Sequence, residues 1–406
     1  MVPSGRKACL CGKRIADELL PRAFAESCNQ QMNSKLPGGQ HMPQLDGLRT
    51  LAVGAVIWSH WLPAYQFGFE WGVMGVNLFF VLSGFLITGI LLDSRAGAAR
   101  PGDRWFAIRQ FYIRRVLRIF PLFYMTLALL VLVNVHPVRQ TLVWHVCYLS
   151  NVYFFRQGAW VGQISHFWSL AVEEQFYLVW PYLMIFLPVR LLRPVVLGLI
   201  GLAPAFRVVM GVVVPESRLA FVLTIGCLDA LGIGALLAYS ERSGGGSQWR
   251  AGGVARWLLW IGLPAWAAVE MLDRLHLAAT PLLTMRQTFL DMIFGWVILS
   301  GARGFTGWFG RFLQWPPMAY LGKISYGLYV FHNLTVYGLV FAVRNLHAPA
   351  VILTVTWVRC LSLLVLTISA AAVSWHFFEK PLNDLKRFFP YNAPARARQR
   401  VAEEKI

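Results

Sequence analysis

The stretch Trp71-Gly-Val-Met-Gly-Val-Asn-Leu-Phe-Phe-Val-Leu-Ser-Gly-Phe-Leu-Ile-Thr-Gly-Ile-Leu-Leu92 runs for 22 residues without a charged side chain. About 20 mostly apolar residues in a helix span the hydrocarbon of a bilayer. A soluble helix of that length would keep a polar face for water, and this one has none. Working outward, nine further stretches read the same way: roughly 47–66, 117–135, 167–188, 191–213, 219–240, 255–272, 280–300, 320–342 and 351–377. All are helical in length, and the short alternating segments of a β-barrel are missing. The segment 141–155 is apolar but short, and His145, Asn151 and Arg156 mark it as an interfacial or re-entrant piece rather than an eleventh span. The predicted fold class is all-α: a polytopic integral membrane protein with about ten transmembrane helices.

Composition agrees. Of 406 residues, 57% are apolar and only 14% are charged, with 17 Trp and 28 Phe. That is too little charge to coat soluble domains and too much apolar content for a disordered chain. The net charge of +18 would suit nucleic acid, but in a membrane protein the placement of the positive residues matters more than their sum. With ten spans and a cytoplasmic N-terminus, 28 Lys and Arg fall on the inside and 5 on the outside. Arg49, Arg207, Arg286 and Arg359 lie within spans. An extra span at 141–155 would put every later loop on the wrong side, so both termini are expected in the cytoplasm and the chain in the cytoplasmic membrane. No nucleic-acid partner is expected, and oligomeric state is not legible.

Three regions follow. Residues 1–42 are a basic leader, expected to be disordered. They lack the apolar core of about 7–15 residues that a signal peptide needs. Residues 43–382 form the transmembrane domain, and 383–406 a polar, basic tail. Cys9, Cys11 and Cys28 lack metal-site spacing, while Cys147, Cys227 and Cys360 are isolated, so no disulfide framework is visible. Gly-Gly-Gly at 244–246 reads as a cytoplasmic loop. The segments between spans are too short for a separate soluble catalytic domain.

Polar side chains inside a bilayer are costly and usually face a cavity or a partner. In the first span, Arg49 and His60 are eleven residues apart. At 100° per residue they share one face, about 16 Å apart along the axis. One face thus joins a cation at the inner end to an imidazole near the outer end. Asp46, three residues before Arg49, suggests a local ion pair; it lies about 21 Å from His60 and cannot orient that ring. Arg115 and Arg118, in Arg114-Arg115-Val-Leu-Arg118, share a helix face and could bind phosphate oxygens. The bland alternative is topology-setting charge touching anionic lipid.

Glu173-Glu174-Gln175 interrupts an otherwise apolar helix. Orienting His60, binding a hydroxylated substrate, or pairing with Arg207, Arg286 or Arg359 are the candidate roles. Because the two acids point about 100° apart, only one is expected to reach a given cavity. Ser325, Tyr329 and His332 follow i, i+4, i+7 and form one polar stripe, with His332 a second imidazole for a site and Ser325 read mainly as packing. The run around Gly84 reads as close helix packing, and Asp229, Arg286 and Asp291 as buried charges that pair. Trp144, Tyr148, Tyr153, Phe154 and Trp160 are either an aromatic belt or stacking surfaces for sugars.

Taken in order, these elements resemble the membrane-bound acyltransferase-3 family, which includes surface-polysaccharide O-acetylases and macrolide O-acyltransferases. The resemblance rests on Leu45-Asp-Gly-Leu-Arg49, Arg49-x10-His60, Phe79-Phe-Val-Leu-Ser-Gly-Phe85 and Arg115-x-x-Arg118. Trp168-Ser-Leu-Ala-Val-Glu-Glu-Gln-Phe-Tyr177, Ser325-Tyr-Gly-Leu-Tyr-Val-Phe-His332 and Glu379-Lys-Pro381 continue it, so it runs from about Pro43 to Pro381. Asn77 departs from it, standing where the family often has an acid. The fused hydrolase-like domain of larger members is missing, so the acceptor is expected to meet the membrane part itself.

The resemblance implies an acyltransferase that moves an acyl group, by default acetyl, from acyl-coenzyme A to a hydroxyl of a saccharide or glycosylated acceptor. It implies His60 as the catalytic residue and Arg49, Arg115 and Arg118 as donor contacts. Glu173 and Glu174 stand as further catalytic candidates, with Asp46, Ser325, Tyr329 and His332 in support. His60 would act as general base or carry the acyl group as an acyl-imidazole. Neither metal nor cofactor is expected, acyl-coenzyme A being a co-substrate. The competing class is a transporter or flippase that moves a glycolipid or saccharide without acyl transfer.

Overall fold

The computed structural model describes residues 42–98, 100–214, 219–242, 251–345, 349 and 351–391. The leader 1–41 with Cys9, Cys11 and Cys28, the glycine run 244–246 and the tail beyond 391 lie outside the described residues. Among the described residues every regular element is helical. The chain begins with α1 (Pro43–Trp61), α2 (Trp71–Gly97) and α3 (Pro101–Leu132). Short α4 (Val138–Val146) and α5 (Ser150–Gln157) precede α6 (Phe167–Phe186) and α7 (Val189–Val213). Then come α8 (Leu228–Arg242), α9 (Ala251–Arg274) and α10 (Thr280–Arg303). The last part holds α11 (Gly307–Gln314), α12 (Pro316–Lys323), α13 (Ser325–Asn345), α14 (Val351–Thr354) and α15 (Thr356–Ser374). A π-helical turn, Trp375–Glu379, leads into α16 (Lys380–Asp384).

Each of the ten predicted stretches holds one of the longer helices. Six segments are long and apolar enough to cross a bilayer: Trp71–Gly97, Gly102–Leu132, Val189–Val213, Pro281–Arg303, Ser325–Asn345 and Thr356–Phe388. The protein is therefore an all-helical, multi-pass membrane protein. The expected count of ten exceeds the six that qualify on length and apolarity, for identifiable reasons. α8 has 15 residues, about 23 Å of helix, and is entered through 3-10 turns at Ala220–Val222 and Thr224–Cys227. Asp46, Arg49 and His60 lower the apolarity of α1, and Glu173-Glu174-Gln175 lower that of α6. α9 carries Arg256, Glu270, Asp273 and Arg274.

Boundaries moved where local chemistry outweighed apolarity. α3 starts at Pro101 rather than near 117, because the Asp103 carboxylate accepts the Arg100 backbone N–H at 3.1 Å and Pro101 fits the first helical position. The predicted helix 320–342 breaks at Ile324 into α12 and α13. α4 and α5, with 9 and 8 residues, are too short to cross, as expected for an interfacial or re-entrant piece. Gln175 of α6 fastens them, donating to the Tyr148 carbonyl at 2.8 Å and to Asn151 Oδ1 at 2.9 Å.

Lipid offers no hydrophobic drive to bring helices together, so small residues that let backbones touch do much of the work. α2 and α8 meet in this way. A Cβ added at Gly84 would stand 2.0 Å from the Leu231 carbonyl oxygen, and one at Gly234 would stand 2.0 Å from that of Val81. The expected packing role of Gly84 is thus realised. Leu178 and Val179 on α6, Val209 and Val212 on α7, and Leu361 and Val365 on α15 are exposed, as lipid-facing side chains should be.

Candidate functional site

A cavity of about 270 Å3 opens among α1, α2, α3, α6 and α13. Arg49, Arg115, Arg118, Glu173, Glu174, Ser325 and Tyr329 all line it, so seven nominated residues from four helices share one wall. Arg118 is enclosed by protein yet keeps accessible surface, because that surface faces the cavity. Neither Arg115 nor Arg118 forms an ion pair among the described residues. Arg115 instead lies 4.5 Å over the Tyr177 ring, a cation–π contact. Arg49 pairs with Asp46, the local ion pair that their spacing suggested.

Two expectations about the acids are corrected. Both Glu173 and Glu174 reach the cavity, because it wraps around more than one face of α6. Neither pairs with the arginines considered for them. Arg207 is held by Asp229, with Nη2 to Oδ2 at 2.6 Å and Nη1 to Oδ1 at 3.1 Å. Arg286 pairs with Glu70 at 2.9 Å and Asp273 at 3.3 Å. Glu174 Oε1 is buried without a hydrogen-bond partner.

The acids do not orient His60 either. His60 Nδ1 lies 2.7 Å from His332 Nε2, and the two rings meet edge to edge, within 4° of parallel. His332 Nδ1 lies 2.6 Å from the Tyr329 carbonyl oxygen. A carbonyl only accepts, so Nδ1 of His332 carries a proton. With neutral rings, Nε2 of His332 must then accept from Nδ1–H of His60. That leaves the lone pair of His60 on Nε2, at an exposed position. Trp61 Nε1 donates to the His332 carbonyl at 3.1 Å and holds the end of α1 against α13.

His332 is fully buried, and a third imidazole, His166, packs edge-on against it at 4.7 Å between centroids. His166 was not nominated from sequence. It sits in the turn before α6, outside any periodic pattern, and only the contact with α13 reveals it. Tyr329 joins the two parts of the site. It lines the cavity, its hydroxyl donates to the His166 carbonyl at 2.8 Å, and it bonds Ser169 Oγ at 2.6 Å. Ser83 and Tyr177, also unnominated, line the cavity and hydrogen-bond one another. Among the described residues no group of three or more His, Cys, Asp or Glu is placed to hold a metal ion.

The sequence profile of the acyltransferase-3 family, described as an acyltransferase domain, matches residues 42–375. The chain belongs to this family. Relatives bear names consistent with it. The Bacillus subtilis protein YrhL, whose name carries a provisional assignment as a peptidoglycan O-acetyltransferase, is 29% identical over 381 residues, 86% of this chain and 56% of its own length. The peptidoglycan O-acetyltransferase OatA of Listeria monocytogenes is 28% identical over 377 residues, 84% of this chain and 56% of its length. The O-acetyltransferase OatA of Staphylococcus aureus is 26% identical over 368 residues, 86% of this chain and 58% of its length. This chain thus spans little more than half the length of these relatives. No solved structure matches it. The acyltransferase-3 match ends inside the π turn after α15 and contains every nominated site residue.

Proposed function

We propose that this acyltransferase-3 protein is a membrane O-acyltransferase. It moves an acyl group, by default acetyl, from acyl-coenzyme A to a hydroxyl of a saccharide acceptor. The chain crosses the cytoplasmic membrane ten times with both termini inside, as its 28-to-5 charge asymmetry favours. One observation carries the reading. α1 is a continuous helix with an arginine-lined cavity at Arg49 and, about 16 Å along its axis, the free Nε2 of His60. That separation suits an extended pantetheine arm, with phosphates on Arg49, Arg115 and Arg118 and the thioester near the imidazole.

His60 Nε2 takes the proton of the acceptor hydroxyl as general base. The alkoxide oxygen attacks the thioester carbonyl, an ester C–O bond forms and the C–S bond breaks. The leaving thiolate recovers the proton from His60, so no net proton is consumed. His332 holds the His60 ring in the tautomer that exposes Nε2, and the Tyr329 carbonyl holds His332. Glu173 and Glu174 border the donor path rather than the base. The relatives' names favour a cell-wall glycan as acceptor, peptidoglycan being the acceptor named for two of them.

The test is His60→Ala in membranes at matched protein level, following free coenzyme A and O-acylated product together. We expect transfer to fall by at least about 100-fold, within the range for loss of a general base. Transfer near the wild-type rate would sink this mechanism. Movement of saccharide without release of coenzyme A would instead identify a transporter.

A further inference from the structure

Beyond the three nominated arginines, a fourth cation, Lys386, is held against the helix that carries two of them. After α16 the chain folds back onto α3, where Arg114 Nη1 donates to the carbonyls of Lys386 at 2.7 Å and Phe389 at 3.0 Å. The Arg114 guanidinium also lies 4.6 Å over the Tyr391 ring. These contacts pin residues 386–391 against the helix that carries Arg115 and Arg118. They leave the half-buried Lys386 ammonium within electrostatic reach of Arg118, Arg115 and Arg114. Its hydrogen-bond partner is an amide oxygen, Asn383 Oδ1. No acidic side chain among the described residues forms an ion pair with it, and Asp384, two residues earlier, points outward.

Lys386, Arg114, Arg115 and Arg118 are like charges within reach of one another; Glu173 and Glu174 offset part of the charge of Arg115 and Arg118, and what remains repels and loses hydration in a partly enclosed place. Such an arrangement is stabilised by a polyanion that meets several cations at once. Anionic lipid headgroups and the phosphates of a soluble donor share this chemistry. The cavity favours the donor, because Arg115 and Arg118 line an internal pocket together with Tyr329, whereas a headgroup needs only an open surface.

We propose that Lys386 is a further binding residue for the phosphate end of the acyl donor. The inference rests on the donor reading above, and its test separates the two. The full chain in nanodiscs of pure phosphatidylcholine is titrated with coenzyme A, with 3′,5′-ADP as competitor. Lys386→Gln is expected to weaken coenzyme A binding about 10-fold, as loss of one charge-assisted contact should. Lys386→Arg should recover most of it. Arg387→Gln, an equal charge change at the exposed neighbouring position, should leave the affinity within about 2-fold of wild type.

Equal affinity of Lys386→Gln and wild type would overturn the assignment while leaving the donor reading intact. Equal weakening by Arg387→Gln would reduce it to general surface charge and overturn it as well. A Lys386 effect seen only with phosphatidylglycerol in the discs would make this a headgroup site. Failure of the wild-type protein to bind coenzyme A in any disc would remove the donor reading, and this inference with it.

Discussion

Two clusters of enclosed arginine show opposite solutions to the same physical problem. Arg207 is saturated: it makes a bidentate pair with Asp229, it donates to the Gly226 carbonyl, and Thr288 bridges the pair at 2.6 Å on both sides. Arg115 and Arg118 have no ion-pair partner and line a cavity. A buried charge with every donor occupied holds helices together and has no capacity left for a ligand. Guanidiniums whose hydrogen-bond donors face open space are costly in an empty protein and are compensated when an anion arrives. The contrast separates charge that is fully paired from charge left facing a cavity inside one membrane domain, which composition alone cannot do.

The comparison can be broken most directly at Arg207. Arg207→Ala leaves Asp229 buried and unpaired, a change that costs about 3–5 kcal/mol. We expect a loss of folded protein, read as a fall in detergent-solubilised monodisperse material. A normal yield combined with weakened donor binding would reverse the two roles. Arg118→Ala is the mirror experiment. Its yield should match wild type, while the KM for acyl-coenzyme A rises about 10–100-fold, the range for a charge-assisted phosphate contact. An unchanged KM with lower yield would make Arg118 a second Arg207.

Smaller effects sharpen the other end of the site. His332→Phe removes the acceptor that fixes the His60 tautomer, and kcat should fall about 10-fold or more with donor KM little changed. Tyr329→Phe deletes one hydroxyl and its bonds to Ser169 and His166. Steady-state rates should fall only a few-fold, since a neutral hydrogen bond contributes about 0.5–1.5 kcal/mol. A His332→Phe enzyme at full kcat would show that the tautomer is set by something else.

Much of this was legible before the structure. Arg49 and His60 share a face of α1 because helical periodicity requires it, and Ser325, Tyr329 and His332 form their stripe for the same reason. The site residues also explain why fewer helices qualify as spans than were expected. Arg49 of α1 and Glu173 and Glu174 of α6, which lower apolarity, also line the cavity. What stayed hidden depends on tertiary contact. His166 lies in a turn, with no period to flag it, and meets His332 only because α6 and α13 pack together. Lys386 belongs to a segment that reads as generic basic tail until Arg114 pins it. The pairing of His60 with His332 joins positions 272 residues apart, beyond any local pattern.

Tyr329 has a consequence for the energy stored across the membrane. A route carrying acyl groups between the two faces would, if left open, also conduct water and protons and drain the ion gradient the cell maintains. The Tyr329 ring stands between the arginine-lined cavity and the imidazoles, fixed by Ser169 and the His166 carbonyl, with Phe79 edge-on at 6.3 Å. Beyond it His332 is wholly enclosed. For the acyl transfer proposed above, that ring is the group a passing chain would have to skirt and the first obstacle a file of water would meet.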